Sequence, residues 1–398
     1  MEKANWHDRL RVALLTPSYW PEVRRGMERD ARDLADGLIA RGHSPTLITS
    51  HRGAPRRRLE DGLPVLRLPR PPQGLIVRHG FEAHMTHIPF TYMALRAGAY
   101  DLAHALYPTD ALAAAAWRRA TGRPALLTYL GIPARAWLDA ARLRKQTLMR
   151  AVRGCDAVVV ISHCAAAALR ESLGHEPYVI RPGVDLRSFK PMAPRSAEPS
   201  LFCAAPANVP RKNVGLLVEA FRLVKDRHPG ARLVLVRPQD PEAAKRAGVD
   251  LRAVGIEWID PTERAGVLAR AYSQAWVAVL PAVDEAFGKV LVEALACGTP
   301  VVGYAGGGIP EIIDRPGIGH LFGELEPRAL AQALLEALGL AEEPATAGAC
   351  RARAQEFSLE RCIEAYLALY RQLLRSRDGD QRGNQRRRSR RKGTSIKA

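Results

Sequence analysis

The chain has 398 residues, of which 47% are hydrophobic and 25% are charged, so it can bury a large core and is neither disordered nor fibrous. Its length favours two domains, because single domains commonly hold about 100–200 residues. Lysine and arginine number 59 against 41 acidic residues, which gives a net charge of +18. No apolar run approaches the ~18 residues of a membrane-spanning helix, which argues against an integral membrane protein. The polar start does not resemble a secretory signal, so we expect a cytoplasmic protein.

The cysteines are widely spaced and include no C-x-x-C pair. Neither a zinc site nor a disulfide framework is therefore indicated, and we expect reduced thiols that lie mostly in the core. The six are Cys155, Cys164, Cys203, Cys297, Cys350 and Cys362.

The first fifty residues have the pattern of a βαβ unit. Residues 10–16 form an apolar strand-like run, and apolar residues at helical spacing then predict a helix from Met27 to about Arg41. Gly42 stands in the C-terminal cap position, and residues 45–49 resume a strand. The same rhythm recurs at residues 101–106, 125–129 and 157–161. The pattern predicts one doubly wound parallel-sheet domain over residues 1–185.

A second domain of the same class is predicted after a proline-rich linker at residues 186–199. Residues 200–205, 214–225 and 231–236 read as strand, helix and strand, so this domain spans residues 200–357. Ser358 is a good N-cap for a terminal helix over residues 358–375, whose apolar stripe should pack back toward the N-terminal domain.

The positive charge is concentrated toward the C-terminus. From Arg375 onward there are ten basic and two acidic residues, almost without apolar side chains, so residues 376–398 are predicted to form a disordered tail. Other basic residues cluster at 56–58 and along a predicted helix from about Leu138 to Arg153. Such patches attract phosphates on nucleic acid, anionic lipid or a nucleotide, and a solvated surface is an equally good interpretation. Leu143, Leu148, Met149 and Val152 would give the helix an apolar side that could reach an anionic membrane.

The loop at residues 284–294 is the richest in potential chemistry. It follows a predicted strand at residues 276–280 and leads into a helix, so its unpaired N–H groups suit a diphosphate. Gly288 would let a ligand approach the backbone. Glu285 and Glu293 are eight positions apart, an offset of ~80° if both were helical, so we expect them to contact different parts of one ligand.

Two further loops are built in the same way. Residues 306–311 follow a strand at 300–304 and place Pro310 in the first turn of a predicted helix. Residues 206–213 place Arg211 and Lys212 just ahead of the helix at Val214, where either cation could neutralise a leaving diphosphate. Each loop alone is weak evidence for function, and their order along the chain is the informative feature.

Taken together, the motifs resemble those of the retaining glycosyltransferases of family 4, the group 1 glycosyltransferases, which have the GT-B fold. The resemblance spans about residues 10–375 and includes the E-x7-E signature from Glu285 to Glu293. The other matching segments are residues 296–302, 307–311, 182–185 with Phe189 and Pro191, 211–213 with 219–221, and, in the N-terminal half, Pro17, Pro21, Gly26, Glu28 and residues 41–43.

The resemblance implies two Rossmann-like domains that face across a cleft and a nucleotide-sugar donor. It implies that Glu293 binds the ribose, that Glu285 and the backbone of residues Phe287, Gly288, Lys289 and Val290 hold the sugar and diphosphate, and that Lys212 balances the leaving phosphate. Gly26 would cover the phosphates, and Tyr129, Leu130 and Gly131 would lie on the acceptor side. The implied mechanism has no protein nucleophile, no cofactor and no required metal, and it retains the anomeric configuration.

Departures from the family pattern leave alternatives open. Arg25 replaces a usual glycine, Pro206 occupies the place of an arginine for which Arg211 could substitute, and Leu130 replaces a histidine. One alternative is another nucleotide-sugar enzyme of the same fold, an epimerase or a disaccharide synthase. An alternative of another class is a basic protein that binds nucleic acid or membrane through an inactive body, although the tail has no aromatic residues for base stacking. The acceptor could be lipid-linked, a glycan or a small molecule.

Overall fold

The computed structural model describes residues 9–22, 26–72, 84–238, 240–249, 251, 255–262 and 264–393, with side chains up to residue 376. The chain divides into two compact units. The first contains the described residues up to 161, residues 166–180 and the chain from 363 onward, and the second contains residues 162–165 and 181–362. The division therefore falls between Ile180 and Arg181, and the predicted linker at 186–199 belongs to the second unit.

The first unit is built on an eight-stranded sheet in the order β3-β4-β2-β1-β5-β6-β7-β8. All of its pairings are parallel except that of β3 with β4. Its strands are β1 (Arg11–Leu15), β2 (Ser44–His51), β3 (Arg56–Glu60), β4 (Leu63–Pro69), β5 (Leu102–Ala105), β6 (Ala125–Tyr129), β7 (Ala157–Val160) and β8 (Tyr178–Val179). The helices are α1 (Gly26–Ile39), α2 (Ile88–Ala97), α3 (Pro108–Thr121), α4 (Arg135–Asp139), α5 (Arg142–Gly154) and α6 (His163–Leu173), of which residues 166–173 belong to this unit.

The second unit has a six-stranded, wholly parallel sheet in the order β11-β10-β9-β12-β13-β14. Its strands are β9 (Ser200–Cys203), β10 (Arg232–Val236), β11 (Ile256–Ile259), β12 (Val277–Leu280), β13 (Val301–Tyr304) and β14 (Gly319–Phe322). Its helices are α7 (Val214–Arg227), α8 (Pro241–Arg246), α9 (Ala265–Gln274), α10 (Lys289–Ala296), α11 (Pro327–Glu342) and α12 (Thr346–Gln355), followed by α13 (Leu359–Gly393), which enters the first unit at Ile363.

The predicted fold class is confirmed: each unit is a doubly wound α/β layer around a parallel sheet. Strands β6, β9, β10, β12 and β13 begin and end within about two residues of their predicted bounds. The central strands are buried on both faces, as their near-continuous apolar runs require. The predicted helix after Pro310 is wrong, because only a single 3₁₀ turn forms over Ile309–Glu311.

The basic helix predicted over residues 138–153 is two helices, α4 and α5, separated at residues 140–141. Leu148, Ala151 and Val152 of α5 are buried in the first unit, where the helix packs on α3, and Leu143 is exposed. Leu148 and Val152 of the predicted apolar side are therefore used in packing the core, and contact with an anionic membrane stays a prediction. Among the residues described, no helix combines the length and apolar character needed to span a bilayer.

The C-terminal segment also differs from its prediction. The helical backbone of α13 continues to Gly393, whereas residues 376–398 are predicted to be disordered, and residues 394–398 lie outside the described part. Arginine and glutamine are good helix formers, and extending an existing helix costs far less than nucleating one. A composition that cannot form a core can therefore still prolong a helix that other contacts have started.

A buried polar cluster attaches α13 to the first sheet. His104 on β5 hydrogen-bonds through Nδ1 to the Tyr370 hydroxyl and through Nε2 to Thr128 Oγ1 on β6, both at 2.7 Å. The Thr128 hydroxyl also lies 3.1 Å from the Tyr366 hydroxyl. Complete burial lowers the pKa of His104 to about 3, so the imidazole is neutral in the folded protein. Each ring nitrogen has a partner, which satisfies a polar side chain in the core.

Two loops of the second unit pack backbone against backbone. A Cβ at Gly307 would lie 2.3 Å from the carbonyl oxygen of Glu285, and a Cβ at Gly308 would lie 2.3 Å from that of Ala286. Real Cβ contacts are never so short, so both positions require glycine. The Gly308 N–H donates to the Glu285 carbonyl at 2.8 Å, which joins the loop after β13 to the loop after β12.

We expect His104 to make the stability of the protein depend on pH. The unfolded histidine has a pKa near 6.5 and the folded one about 3, so acid protonates the unfolded state first. This contribution is complete above pH 6.5 and is lost as the pH falls toward 3, at about 1.4 kcal/mol per pH unit. Urea unfolding across this range should show a shallower pH dependence for His104→Gln than for the wild type. His228→Gln, at a partly exposed site of the second unit, is the control, and parallel curves for wild type and His104→Gln would contradict the assignment.

Substituting Gly308 should force the two loops apart. Gly308→Ala places a methyl group against the Ala286 carbonyl, and we expect a loss of about 1–3 kcal/mol in the free energy of unfolding. Gly323→Ala is the matched control, because a Cβ there meets nothing within 4 Å. Denaturant unfolding measures both, and equal stabilities for the two variants would show that the loops can separate without cost.

Candidate functional site

The carboxylate of Glu285 receives two cations. Lys212 Nζ lies 2.5 Å and Arg211 Nη1 lies 3.2 Å from the same oxygen, Oε2. The side chains of Lys212 and Glu285 are only 14% and 16% exposed, whereas Arg211 is 48% exposed. The structure therefore brings together these three predicted catalytic residues, which the sequence separates by more than seventy positions.

The topology of the second sheet explains this convergence. The connection from β9 leads to β10 on one side, and the connection from β12 leads to β13 on the other. Arg211 and Lys212 follow β9, and Glu285 follows β12. In open parallel sheets, ligands bind at such a reversal, beyond the carboxyl ends of the two central strands.

Hydrogen bonds hold the loop after β9 against the loop after β12. The Val283 N–H donates to the Arg211 carbonyl at 2.9 Å, and Asn213 Nδ2 donates to the Pro281 carbonyl at 3.1 Å. Asn213 has a φ of 50°, in the left-handed region that asparagine tolerates better than most residues. The turn that carries Arg211 and Lys212 is therefore held in place by hydrogen bonds to the loop after β12.

The start of α10 provides a backbone surface for an anion. Gly288 caps the helix with a φ of 100°, a conformation that favours glycine, and Lys289 and Val290 are the first two helical residues. Their N–H groups belong to the first turn, where no intrahelical acceptor exists, and the helix dipole favours negative charge there. Phe287 is buried and its ring packs on Phe357 at a centroid distance of 5.5 Å, so the side chain serves the core and only its backbone can face a ligand.

Glu293, eight positions after Glu285, makes a hydrogen bond with a neighbouring helix of the second unit. It is buried on α10, and the Tyr272 hydroxyl of α9 donates to its Oε2 at 3.3 Å. Tyr272 is a residue that sequence reasoning missed, because nothing marks one tyrosine of a helix as the partner of a distant glutamate.

Glu311 is a second residue without a predicted role. Its Oε2 accepts from Arg181 Nη2 at 3.0 Å, and its backbone carbonyl accepts from Arg353 Nη2 at 2.6 Å. These contacts anchor the turn that follows the glycine loop at 306–308. The E at the end of the Gly-Gly-Ile-Pro-Glu motif is the signal that could have found it.

The predicted residues of the first unit lie near the reversal in its own sheet, between β1 and β5. Gly26 is the exposed first residue of α1, and a Cβ there would meet nothing within 4 Å. The preceding Arg25 lies outside the described residues. Leu130 and Gly131 follow β6 and are partly buried.

Tyr129 lines a pocket whose residues the sequence analysis did not group together. The lining combines aromatic rings with hydroxyl groups and one cation: Tyr107, Pro108, Thr109, Tyr129, Trp137, Arg144, Thr147 and Leu148. Arg144 lies over the Trp137 ring at 4.0 Å and donates to the Trp137 carbonyl, which fixes its guanidinium at the pocket.

For metal ions, the described part of the chain contains no group of three or more His, Cys, Asp or Glu side chains placed to bind one.

Comparisons with known proteins agree with this architecture. The family model described as "Glycosyl transferases group 1" matches residues 198–339, and the one described as "Glycosyltransferase Family 4" matches residues 24–188. A D-inositol 3-phosphate glycosyltransferase of Actinosynnema mirum is 34% identical over 222 residues, which are 49% of this chain and 51% of that protein. The protein of the same name from Nocardiopsis dassonvillei is 28% identical over 71% of this chain and 74% of its own length. The chain thus spans about half the length of several curated relatives that it matches.

Solved structures with the same fold are more distant in sequence. Sucrose-phosphate synthase of Thermosynechococcus elongatus superposes with a TM-score of 0.78 at 22% identity, covering 92% of this chain and 100% of that one. Anabaena HepE in complex with UDP-glucose gives a TM-score of 0.70 at 18% identity, with 90% and 98% coverage. These likenesses establish the architecture, and the two family matches cover more than three quarters of the chain. The chain therefore belongs to the group 1, family 4 glycosyltransferases and has their two-domain GT-B fold.

Proposed function

We propose that this protein transfers a sugar from a nucleoside-diphosphate-sugar to a hydroxyl group of a small polyhydroxylated acceptor, with retention of the anomeric configuration. The observation that carries the proposal is the convergence of Lys212 and Arg211 on Glu285 at the reversal of the second sheet. Two cations and the first turn of α10 offer a diphosphate both charge and N–H donors.

The donor is assigned to the second unit. Lys212 and Arg211 neutralise the negative charge that grows on the diphosphate as its bond to the sugar breaks. In the structure both cations pair with Glu285, and a bound diphosphate would replace one carboxylate oxygen by several phosphate oxygens. Glu285 is then placed to accept hydrogen bonds from sugar hydroxyls. The family's solved relatives support this donor class, since HepE was crystallised with UDP-glucose.

The reaction needs no nucleophile from the protein. The acceptor oxygen forms a bond to the anomeric carbon on the face from which the diphosphate leaves, and the acceptor proton passes to a phosphate oxygen. Bond formation on the departing face is what retains the configuration. The protein contributes positioning and charge stabilisation.

The acceptor is assigned to the pocket at Tyr129. Rings of Tyr107, Tyr129 and Trp137 suit the apolar faces of a sugar or cyclitol, while Thr109 and Thr147 offer hydroxyl groups. Fixed Arg144 adds one positive charge. The curated relatives are named for D-inositol 3-phosphate, an acceptor of this size and chemistry.

Product analysis distinguishes transfer from the alternatives, because an epimerase changes the donor without any acceptor.

The direct test is a thermal-shift screen of the full chain against UDP-, GDP-, ADP- and dTDP-sugars, followed by product analysis with inositol phosphates as acceptors. A ligand that binds only the folded state raises the unfolding midpoint. Proton NMR of the first-formed product, read from the coupling constant of the anomeric proton, reports retention or inversion. Absence of stabilisation by every nucleotide-sugar would contradict the proposed function.

Lys212→Ala should lower kcat by roughly 100-fold and change KM for the donor much less, because charge builds on the diphosphate only as the bond breaks. Lys190→Ala, which removes an exposed lysine of the same unit, is the matched control and should leave both constants unchanged. A Lys212→Ala effect confined to KM would reassign the lysine to ground-state binding.

Glu293→Gln should weaken binding of the nucleoside diphosphate by roughly 2–3 kcal/mol if the carboxylate accepts hydrogen bonds from the ribose. The amide oxygen can still accept from Tyr272, so the fold is preserved better than in an alanine variant. Calorimetric titration measures the affinity, and thermal unfolding without ligand is the control. Unchanged nucleotide affinity in a stably folded variant would exclude Glu293 from the ribose site.

A further inference from the structure

A second polar cavity of the first unit lies at the carboxyl ends of β2 and β4. It has a volume of about 240 Å³ and shares no lining residue with the pocket at Tyr129. A single water needs only about 10–15 Å³ by such a measure, so the cavity has room for a much larger group. Three arginines, Arg52, Arg56 and Arg67, line it together with Trp20 and Glu22.

Two of the charged residues in the lining are already neutralised. Arg67 is buried and forms a two-pronged ion pair with Glu60, and it also donates to the Trp20 carbonyl. Glu22 pairs with Arg70. Arg52 and Arg56 have neither an ion pair nor a side-chain hydrogen bond within the described ranges. The cavity therefore carries two uncompensated positive charges.

The register of the hairpin makes this charge unusual. Arg56 on β3 is directly opposite Arg67 on β4, so the two side chains project from the same face with Cβ atoms about 5 Å apart. Like charges in directly opposed positions destabilise a strand pair. Glu60 compensates Arg67, and Arg56 has no anionic partner among the described residues.

An unused donor adds to the chemistry of the cavity. The indole Nε1 of Trp20 is buried and makes no hydrogen bond to any described residue. A buried N–H without an acceptor costs free energy, and an anionic ligand in the cavity is one means of satisfying it. Arg52 immediately follows the end of β2 and lines the same cavity.

We propose that this cavity binds a phosphate monoester dianion, with Arg52 and Arg56 as the ligating cations. Two guanidinium groups match two negative charges, and arginine presents paired N–H donors to tetrahedral phosphate oxygens. A carboxylate of single charge would leave one arginine uncompensated. The site is separate from the residues assigned to donor and acceptor above, so it is an additional binding site of the first unit.

The test is calorimetric titration of the full chain at constant ionic strength with inorganic phosphate and, separately, with glucose 6-phosphate. We expect saturable binding that Arg56→Gln and Arg52→Gln each weaken at least about tenfold, the scale of one charge-assisted contact. Arg57→Gln is the matched control: it removes the same charge from the same strand, but Arg57 projects from the opposite face. Its affinity should equal that of the wild type.

The outcomes separate this site from the donor site. Lys212→Ala should bind phosphate as the wild type does, whereas loss of binding in Lys212→Ala with none in Arg56→Gln would overturn the proposal. Absence of binding, or equal weakening by Arg56→Gln and Arg57→Gln, would overturn it as well. Tighter binding of glucose 6-phosphate than of phosphate would assign an organic phosphate, and equal binding would assign the free ion. Arg52 lies outside the strands, so Arg52→Gln decides the matter if Arg56→Gln unfolds.

Discussion

The shared carboxylate of Glu285 is the contact on which the candidate site depends. It joins Lys212 and Arg211, which follow one central strand, to the loop that follows the neighbouring strand. The Glu285 carbonyl on the same residue also receives the Gly308 N–H, so three loops meet at one position. Side chain and backbone of Glu285 thus link the loops that follow β9, β12 and β13 at this edge of the sheet.

The electrostatics of that contact suit a site in which Lys212 and Arg211 can exchange the Glu285 carboxylate for an anionic ligand. Lys212 and Glu285 are largely buried, so the pair compensates charges that would be costly if left alone. Arg211 is half exposed, and its bond to the same oxygen contributes little to stability. A carboxylate with two cations leaves one positive charge in excess, which favours an anion at this position. Preorganised charge of this kind favours a transition state in which anionic charge increases.

The sequence could predict much of this because parallel sheets follow few rules. Continuous apolar runs, separated by segments with helical spacing, predict the central strands. The loops after parallel strands meet at the carboxyl edge of the sheet, and this rule predicts that Lys212 lies near Glu285. The β3–β4 hairpin escapes such reasoning, since Arg56, Arg57 and Arg58 read as a surface patch and form an exposed edge strand instead. Edge strands often carry charge, which hides them from a search for apolar alternation. The boundary between the two units after Ile180 could not be predicted from the sequence either. Prolines indicate irregular backbone, whereas a compact unit is defined by which residues pack together.

The two clusters of cations obey the same physical rule with different results. At the second sheet, Lys212 and Arg211 are adjacent in sequence and Glu285 compensates both at once. On the β3–β4 hairpin, Glu60 compensates only Arg67, although Arg56 stands directly opposite it. Opposed like charges oppose strand pairing, so the hairpin retains Arg56 at a cost in stability unless an anion binds beside it. A local arrangement that disfavours the fold and lines a polar cavity is typical of a binding site, because a ligand can supply the missing interaction.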